Sequence, residues 1–394
     1  MKVLFLSNEQ YLPLSGGGSI GNVRIVENLV RRGHDVTVAT PLYLGEEEKR
    51  SIERKHNIKL RPFSPFYIHK NITFRGPKYV LYSLLFTFHL ARLILSGRYD
   101  VIFVRNCLLG FPAALLRPFN RSMHVLSMTD FLTGFLYNNK TYPRLAVNHL
   151  YYIERLIPQF FDMVFVITPE MKRRLISGGC QPSKITVSYD GVDTRIFNPE
   201  RPTAGEIGEM RYRYGMEARM AFFHGTIDDH AKTKLKEIIK VVTAKNRDIV
   251  FLLLGQGKKY DELKGELESS NVFFPGYVGH EDIPKYIAAA NVGIIPYENN
   301  FNSDMILTLK LLEYLSMGLP VVSTDLKSIR EIFGGYDFIR LSGTTQEFAE
   351  NIIALAERPK SQEAVELMRG RYSWDMITTD MIEAVEKKSA GRRG

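Results

Sequence analysis

The sequence predicts an α/β protein built from two doubly wound parallel sheets in tandem. Short β-branched apolar runs alternate with amphipathic helical stretches along most of the chain, which is typical of parallel sheets covered by helices. The chain has 394 residues, 45% of them hydrophobic, and this length exceeds the size at which a single core keeps growing. Because the alternation pauses once, near the middle, we expect two domains.

The strand candidates form a first series of seven and a second series of six. The first series covers residues 3–7, 36–40, 58–62, 101–105, 125–128, 164–168 and 185–188. The second covers residues 221–225, 249–255, 272–276, 292–296, 321–324 and 338–341. Between them, residues 198–215 carry two prolines and several glycines, and we interpret this segment as the connector between the sheets. Ligands of open α/β sheets bind beyond the carboxyl ends of the strands, so functional residues are expected just after strands.

The composition argues against several classes of protein. Residues 1–8 carry one charge, Lys2, before an apolar run that meets Glu9, so the pattern of a secretory signal is missing and we expect a cytoplasmic protein. Cys107 and Cys180 form neither a metal-ligand cluster nor a redox pair, and we expect ordinary thiols and no metal. The net charge of +9 points to nucleic acid as one class of partner, but no zinc finger or RNA-recognition motif accompanies it.

The excess positive charge lies in one stretch, residues 49–98. Eleven basic residues and one acidic residue give it a net charge of +10, and eight aromatic residues are interleaved with them. This mixture suits anionic lipid headgroups with apolar insertion, whereas the alternative is a solvated basic face over a buried helix. The apolar run 79–95 is 17 residues long and contains His89 and Arg92, which makes it too short and too polar to span a bilayer. We therefore expect peripheral attachment to the inner face of the cell membrane.

A glycine-rich loop, residues 15–21, precedes the first amphipathic helix. Free N–H groups at a helix N-terminus favour an anion, which makes Gly17 and Gly18 candidate ligand contacts. Gly16, Gly18 and Gly21 also match the dinucleotide fingerprint, but the first predicted strand ends eight residues before the loop instead of leading directly into it. A loop facing a phosphate or an acceptor, a plain surface turn and a nicotinamide site are the three interpretations.

The segment 307–325 places two charged side chains on one helix face. Leucines repeat on one stripe, while Lys310, Glu313 and Tyr314 fall on another. Gly318 and Pro320 end the helix before a buried strand. The segment taken alone is compatible both with a ligand site and with a surface ion pair.

The same segment resembles the donor-site signature of the retaining glycosyltransferases of family 4, which have the GT-B fold. The similarity lies in Lys310 followed by residues 313–322, Glu-Tyr-Leu-Ser-Met-Gly-Leu-Pro-Val-Val. Further landmarks in the family's order are the glycine loop at 16–18 with Gly-His-Asp-Val at 33–36, Asp-Gly-Val-Asp at 190–193, Phe-Pro-Gly-Tyr-Val at 274–278, residues 288–296 and Tyr-Ser-Trp-Asp at 372–375. The resemblance implies two Rossmann-like domains facing a central cleft, residues 1–195 and 196–373, with a C-terminal helix at about 374–390 that crosses back to the first domain.

The resemblance also assigns roles in the donor site. It implies that Glu313 binds the donor ribose, that Gly225 and Thr226 lie at the diphosphate, and that Tyr277 and Val278 contact the donor. The family's other glutamate is replaced by Met305, and Asp304 is a candidate substitute.

Three positions are assigned to catalysis. The family's arginine after Gly225 is missing, and Lys232 or Lys234, together with Lys310, is expected to neutralise the leaving group. Asp130 is expected to orient the acceptor or act as general base, with a helix N-cap as the alternative.

The function implied is transfer of a sugar from a nucleoside diphosphate sugar to a hydroxyl of a lipid-linked or cell-envelope glycan. Retention of configuration and independence of metals and other cofactors are expected with it. A nucleotide-sugar epimerase of the same architecture and a non-catalytic sugar-nucleotide-binding homologue are the alternatives.

Overall fold

The structure is a computed structural model, and it describes residues 1–9, 11–12, 17–41, 45–62, 77–137, 142–215, 218–269 and 271–392. The chain divides into two compact units. The first comprises Met1–Asp190 and Asp375–Gly394, and the second comprises Gly191–Trp374.

The first unit is built on a seven-stranded parallel sheet. Its strands are β1 (Lys2–Leu6), β2 (Asp35–Ala39), β3 (Lys59–Leu60), β4 (Val101–Arg105), β5 (Met123–Met128), β6 (Met163–Val166) and β7 (Ile185–Val187). The spatial order is β3-β2-β1-β4-β5-β6-β7, so the order reverses between β1 and β4. The helices are α1 (Gly17–Arg31), α2 (Glu46–His56), α3 (Pro77–Ser96), α4 (Cys107–Leu116), α5 (Leu132–Tyr137), α6 (Arg144–Leu156) and α7 (Pro169–Ser177).

The second unit is built on a six-stranded parallel sheet. Its strands are β8 (Arg219–Thr226), β9 (Ile249–Gln256), β10 (Val272–Gly276), β11 (Val292–Ile295), β12 (Val321–Thr324) and β13 (Ile339–Ser342). The order β10-β9-β8-β11-β12-β13 reverses between β8 and β11. Its helices are α8 (Ala204–Tyr214), α9 (Asp229–Lys245), α10 (Tyr260–Leu267), α11 (Ile283–Ala289), α12 (Leu309–Ser316), α13 (Lys327–Phe333), α14 (Thr345–Ala356) and α15 (Gln362–Arg371).

The last helix, α16 (Trp374–Ala390), packs on the first unit. Met381, Ile382 and Val385 join the core beneath β1, and Asn28 of α1 donates a hydrogen bond to Thr378 at 2.8 Å. The α/β class, the two sheets and the returning C-terminal helix are confirmed. All thirteen predicted strands are present, because β-branched runs buried on both faces leave few alternatives to a central parallel strand.

Residues 198–215 lie between β7 of the first sheet and β8 of the second, as expected of a connector, but helix α8 occupies most of the segment. The Thr203 hydroxyl accepts a hydrogen bond from the Glu206 backbone N–H, and the Glu206 carboxylate accepts one from the Thr203 backbone N–H. This reciprocal capping box starts the helix, and Gly215 with φ 133° ends it. The capping signature was readable in the sequence, but the prolines and glycines around it favoured a loop.

Candidate functional site

The candidate donor site lies at the carboxyl ends of β8 and β9, beside the point where the strand order reverses. Gly225 and Gly255 are register partners there, with φ of 136° and 150°. A Cβ on Gly255 would lie 1.9 Å from the Gly225 carbonyl oxygen, so the close approach of these strand ends requires glycine. Such a position is where ligands of open α/β sheets bind.

Lys310 places a cation at this edge of the sheet. It stands in the first turn of α12, with its Nζ 4.7 Å from the centre of the Phe223 ring and 4.9 Å from that of Tyr297. A Cβ on Gly225 would lie 2.7 Å from the same Nζ, so the glycine leaves room for the ammonium group. No carboxylate of the described residues forms an ion pair with Lys310. Its charge is therefore available to an anion.

Glu313 lies one turn further along α12 and is 6% exposed. His280 Nε2, from the loop after β10, lies 3.0 Å from Glu313 Oε1 in hydrogen-bond geometry. His224 Nε2, from β8, lies 3.1 Å from Glu313 Oε2 but is not aligned for a hydrogen bond. Burial raises the pKa of the Glu313 carboxyl, yet the two imidazoles outweigh it and hold the pKa below its ordinary value. Glu313 is a buried carboxylate flanked by two histidines.

A cavity of about 180 Å³ opens beside this group. Its lining residues are His224, Gly225, Thr226, Leu254, Gly255, Gln256, Tyr277, Val278 and Ile283. Small-molecule sites typically measure about 300–1,000 Å³, so this cavity has room for part of a ligand only. Four of the predicted donor contacts, Gly225, Thr226, Tyr277 and Val278, meet at it.

Lys232 and Lys234 of α9 are both engaged by other side chains. Lys232 Nζ pairs with Glu262 and with Glu266, the latter at 2.8 Å, and these partners raise its pKa. Lys234 Nζ lies 3.1 Å from the Thr345 hydroxyl. The leaving-group role expected for Lys232 would require it to give up both ion pairs, whereas Lys310 is free of such partners among the described residues.

The loop after β11 holds Asp304 and Met305. Asp304 Oδ1 accepts a hydrogen bond from the Lys327 backbone N–H at 2.9 Å, which caps the start of α13. Met305 is 1% exposed. The position of the family's second glutamate is therefore buried here, and one oxygen of Asp304 already accepts a hydrogen bond from the protein.

The first unit carries a second polar group around Arg105, the last residue of β4. This side chain is buried and donates hydrogen bonds to Asn22 Oδ1 at 2.9 Å and to Ser127 Oγ at 2.6 Å. Three carboxylates that follow β1, β5 and β7 interact with it electrostatically, namely Glu9, Asp130 and Asp190.

Both Asp130 and Asp190 have carboxyl groups whose pKa is raised above the ordinary value. Burial, assisted by the charge of Glu9, raises the pKa of Asp130 to about 6 although Arg105 opposes the rise. Burial likewise raises the pKa of Asp190 to about 6, again against Arg105. Asp130 forms no hydrogen bond with the described part of the chain. A carboxyl group with such a pKa can hold or release a proton near physiological pH.

The glycine loop meets a carboxylate of the chain itself. Helix α1 begins at Gly17, and a Cβ on Gly18 would lie 2.0 Å from Glu9 Oε2. Glu9 thus lies at the helix end for which an anion was predicted. Residues 13–16 of the loop are outside the described residues.

The basic aromatic stretch is described in part, since residues 63–76 and the side chains of 77–86 are outside the description. In the described part, Phe88 and Leu95 of α3 are 74% and 53% exposed, and Arg92 and Arg98 are exposed near them. No helix among the described residues combines the length and apolar character needed to cross a bilayer. Within the same ranges, no group of three or more histidine, cysteine, aspartate or glutamate side chains has an arrangement that could hold a metal ion.

The sequence interpretation missed His224, His280, Tyr297 and Arg105. His224 directly precedes Gly225, so its place at a strand end was a usable signal. The other three are brought to their sites by loops and strands distant in the chain.

Two family models match the chain. The model of Glycosyltransferase Family 4 matches residues 15–196, and that of glycosyl transferases group 1 matches residues 218–358. Together they cover most of both units.

Curated relatives match over shorter regions. The chitobiosyldiphosphodolichol beta-mannosyltransferase of Candida albicans is 28% identical over 224 residues, which are 53% of this chain and 47% of that protein. The putative teichuronic acid biosynthesis glycosyltransferase TuaH of Bacillus subtilis is 25% identical over 177 residues, 44% of this chain and 42% of that protein. The match spans less than half the length of either relative.

Solved structures share the fold over the whole chain. Sucrose-phosphate synthase from Thermosynechococcus elongatus has a TM-score of 0.76 at 15% identity, covering 99% of both chains. Anabaena HepE in complex with UDP has a TM-score of 0.71 at 16% identity, covering 98% of this chain and 100% of that one. Tandem parallel sheets with this organisation define the GT-B fold, and both matching family models are glycosyltransferase models. The chain belongs to glycosyltransferase family 4.

Proposed function

We propose that this enzyme transfers a sugar from a nucleoside diphosphate sugar to a hydroxyl of a lipid-linked or cell-envelope glycan, with retention and without a metal. The observation that carries the proposal is that Lys310 and Glu313 lie one turn apart on the same helix, near the cavity at Gly225. A cation and a buried carboxylate one turn apart match the two polar parts of a nucleotide, its diphosphate and its ribose.

The ribose belongs at Glu313. A carboxylate accepts hydrogen bonds only, and its two oxygens suit the two hydroxyls of a ribose. The cavity lined by Leu254, Tyr277 and Val278 lies next to it and takes the base. HepE, whose structure is that of a complex with UDP, supports a nucleotide in a protein of this fold.

The diphosphate belongs at Lys310. Thr308 precedes α12 without capping it through its side chain, whose hydroxyl lies 3.2 Å from the Tyr297 hydroxyl. The positive end of the α12 dipole and the Lys310 ammonium both favour an anion at the start of this helix. Cleavage of the glycosyl–phosphate bond adds negative charge to the leaving diphosphate, and a fixed cation lowers the barrier. This charge supports catalysis without a metal.

The acceptor hydroxyl belongs to the first unit. Asp130 has a free carboxylate among the described residues and a pKa raised to about 6, which suits a group that orients a hydroxyl and accepts its proton. The relatives support this acceptor class, since one is a chitobiosyldiphosphodolichol mannosyltransferase and the other a teichuronic acid biosynthesis glycosyltransferase. The first of these relatives is a beta-mannosyltransferase, so the anomeric configuration of the product is the test of retention.

Attachment to an anionic membrane would bring the enzyme to such acceptors. Helix α3 packs on α4, and Phe111 and Leu115 of α4 and Phe119 just after it are exposed like Phe88 and Leu95 of α3. Exposed aromatic and aliphatic side chains beside arginines favour insertion among anionic headgroups. We place this surface at the inner face of the cell membrane.

Thermal-shift measurements with UDP, GDP, ADP and their sugars test the donor site. A ligand that binds only the folded state raises the Tm, and Glu313→Ala should abolish that rise. A Tm shift that survives Glu313→Ala unchanged would place the donor elsewhere. For the transfer itself, the anomeric configuration of the product made from a defined donor, read by NMR, distinguishes retention from inversion.

A further inference from the structure

The ribose-binding carboxylate has a competitor within the protein. His280 Nε2 is hydrogen-bonded to Glu313 Oε1 at 3.0 Å, and His224 Nε2 lies 3.1 Å from Glu313 Oε2. Each carboxylate oxygen therefore already faces an imidazole nitrogen. A ribose that is to use both oxygens must share or replace these contacts.

The two histidines differ in freedom. The His224 side chain is 12% exposed, and its ring packs edge to face on the ring of Tyr314, with centres 5.3 Å apart. The His280 side chain is 37% exposed and lies at the start of a 3-10 turn, His280–Asp282. Its ring contacts Phe197 edge to face, with ring centres 5.0 Å apart. His280 is therefore the partner of Glu313 that can turn away toward solvent.

We propose that His280 gates the ribose site: its imidazole and the ribose hydroxyls of a nucleotide compete for Glu313 Oε1. The proposal rests on the donor site proposed above. In this proposal the ribose hydroxyl replaces the imidazole at Oε1 instead of sharing the oxygen with it, so the His280–Glu313 hydrogen bond breaks and its free energy is subtracted from the affinity. The gate makes nucleotide affinity depend on the charge of His280.

The charged groups around His280 set the sign of that dependence. Glu313 raises the pKa of His280, burial opposes the rise, and Glu281 and Asp193 add to it. Asp193 is itself paired with Arg195 at 3.2 Å, and Glu281 with Arg201 at 2.9 Å. On the other side of Glu313, burial lowers the pKa of His224, and the charge of Lys310 adds to this. His280 is thus the histidine that becomes charged first as the pH falls.

Protonation strengthens the bond that must break. When His280 swings into water, its pKa returns toward the ordinary value of 6.5, so nucleotide binding releases a proton. Affinity therefore weakens as the pH falls through the raised pKa of His280. The weakening stops below the ordinary value, where His280 is protonated in both states.

The experiment measures the Kd of UDP, GDP and ADP by calorimetry for the wild type and His280→Ala at about pH 8 and about pH 5.5, on either side of the histidine range. The ratio of the two proteins' Kd values cancels the titration of the nucleotide's own phosphate. We expect His280→Ala to bind about tenfold more tightly than the wild type at the lower pH, the scale of one hydrogen bond to a charged group. The advantage should shrink at the higher pH.

Two further variants separate gating from a structural role. His280→Gln keeps an uncharged donor, so its Kd relative to that of His280→Ala should not change with pH. His149→Ala removes an exposed histidine of α6 and should behave as the wild type. A 2′,3′-dideoxynucleoside diphosphate lacks both hydroxyls, and its Kd should not respond to His280→Ala.

Tighter binding by His280→Ala with a pH-dependent ratio supports the gate. Equal or weaker binding at both pH values, or a ratio that is constant with pH, overturns it while leaving the donor site intact, provided that Glu313→Ala abolishes binding. If the wild type binds none of the three diphosphates, the proposed donor site fails and the gate falls with it.

Discussion

Replacing Lys310 by Met removes the cation of the donor site and keeps most of the side-chain volume. The ammonium group lies between the rings of Phe223 and Tyr297, 4.7 and 4.9 Å from their centres, and it is half-buried. A methionine thioether packs well against aromatic rings, so the fold should tolerate the change. The Lys310→Met protein isolates the effect of charge.

The expected loss of activity in Lys310→Met follows from the position of the ammonium group. A phosphate seated at Gly225 would be about 4 Å from the ammonium, where two unit charges interact by about 4 kcal/mol at an effective dielectric constant of about 20. Bond cleavage adds about one negative charge to the leaving group, and removal of a single fixed donor to such a charge typically costs about 2.7–4 kcal/mol. We therefore expect kcat to fall about 10²–10³-fold, with a smaller loss of donor affinity.

The assay follows release of the nucleoside diphosphate from the donor sugar that gives the largest thermal shift. Lys232→Met is the matched control, because Lys232 already has Glu262 and Glu266 as partners. We expect this control to lose less than about tenfold in kcat, on the scale of a remote charge.

Three results would refute the reasoning. A Lys310→Met kcat within about threefold of the wild type would remove the leaving-group role, since it corresponds to well under 1 kcal/mol. A larger loss for Lys232→Met would assign that role to α9. A Tm of the ligand-free Lys310→Met protein well below that of the wild type would mean that the substitution acts on folding.

Three further predictions concern other parts of the protein. The transfer rate should fall as the pH drops below about 6, because protonation neutralises the Asp130 carboxylate. Asp130→Asn should lower the rate about 10²-fold and abolish this fall in rate at low pH. Asp190→Asn should keep the low-pH fall in its pH–rate profile, and loss of the fall in this variant would assign the titration to Asp190. Gly255→Ala should lower the free energy of unfolding by about 3 kcal/mol in urea melts, because the new Cβ would clash with the Gly225 carbonyl oxygen and the backbone has a positive φ. The control is Gly265→Ala, in a helix with open space around the Cβ, which should be neutral or stabilising. Equal effects of the two substitutions would contradict the steric argument. The protein should sediment with anionic vesicles more than with neutral ones, and Phe119→Ser should reduce this; equal and negligible binding to both would remove the membrane surface.

Much of the architecture was predictable from local pattern. The runs around Val101 and Val321 contain β-branched residues flanked by turn signals. Between amphipathic helices, such runs favour buried strands of a parallel sheet. Helix α8 was missed because Pro199 and Gly205 outweighed the capping signature at Thr203 in the interpretation. Of the candidate site, Lys310 and Glu313 were predicted because they lie one turn apart on one helix and because this segment resembles the donor-site signature of family 4.

The partners of these side chains depend on the tertiary structure. Lys232 looked free in the sequence, and two glutamates that follow it by thirty or more positions, Glu262 and Glu266, neutralise it. Arg105 and the carboxylates of Asp130 and Asp190 come from the ends of β4, β5 and the segment after β7, which adjoin only when the parallel sheet forms.

What the sequence by itself determined about this protein is therefore its class, two parallel sheets with a helix that presents a lysine and a glutamate at a strand edge. The tertiary structure decided which of the predicted cations is available and which side chains compete for Glu313. The physical reason is that helical and strand periodicity are encoded over a few neighbouring residues. In contrast, the charge state and accessibility of a side chain depend on groups that strand pairing brings together from distant positions.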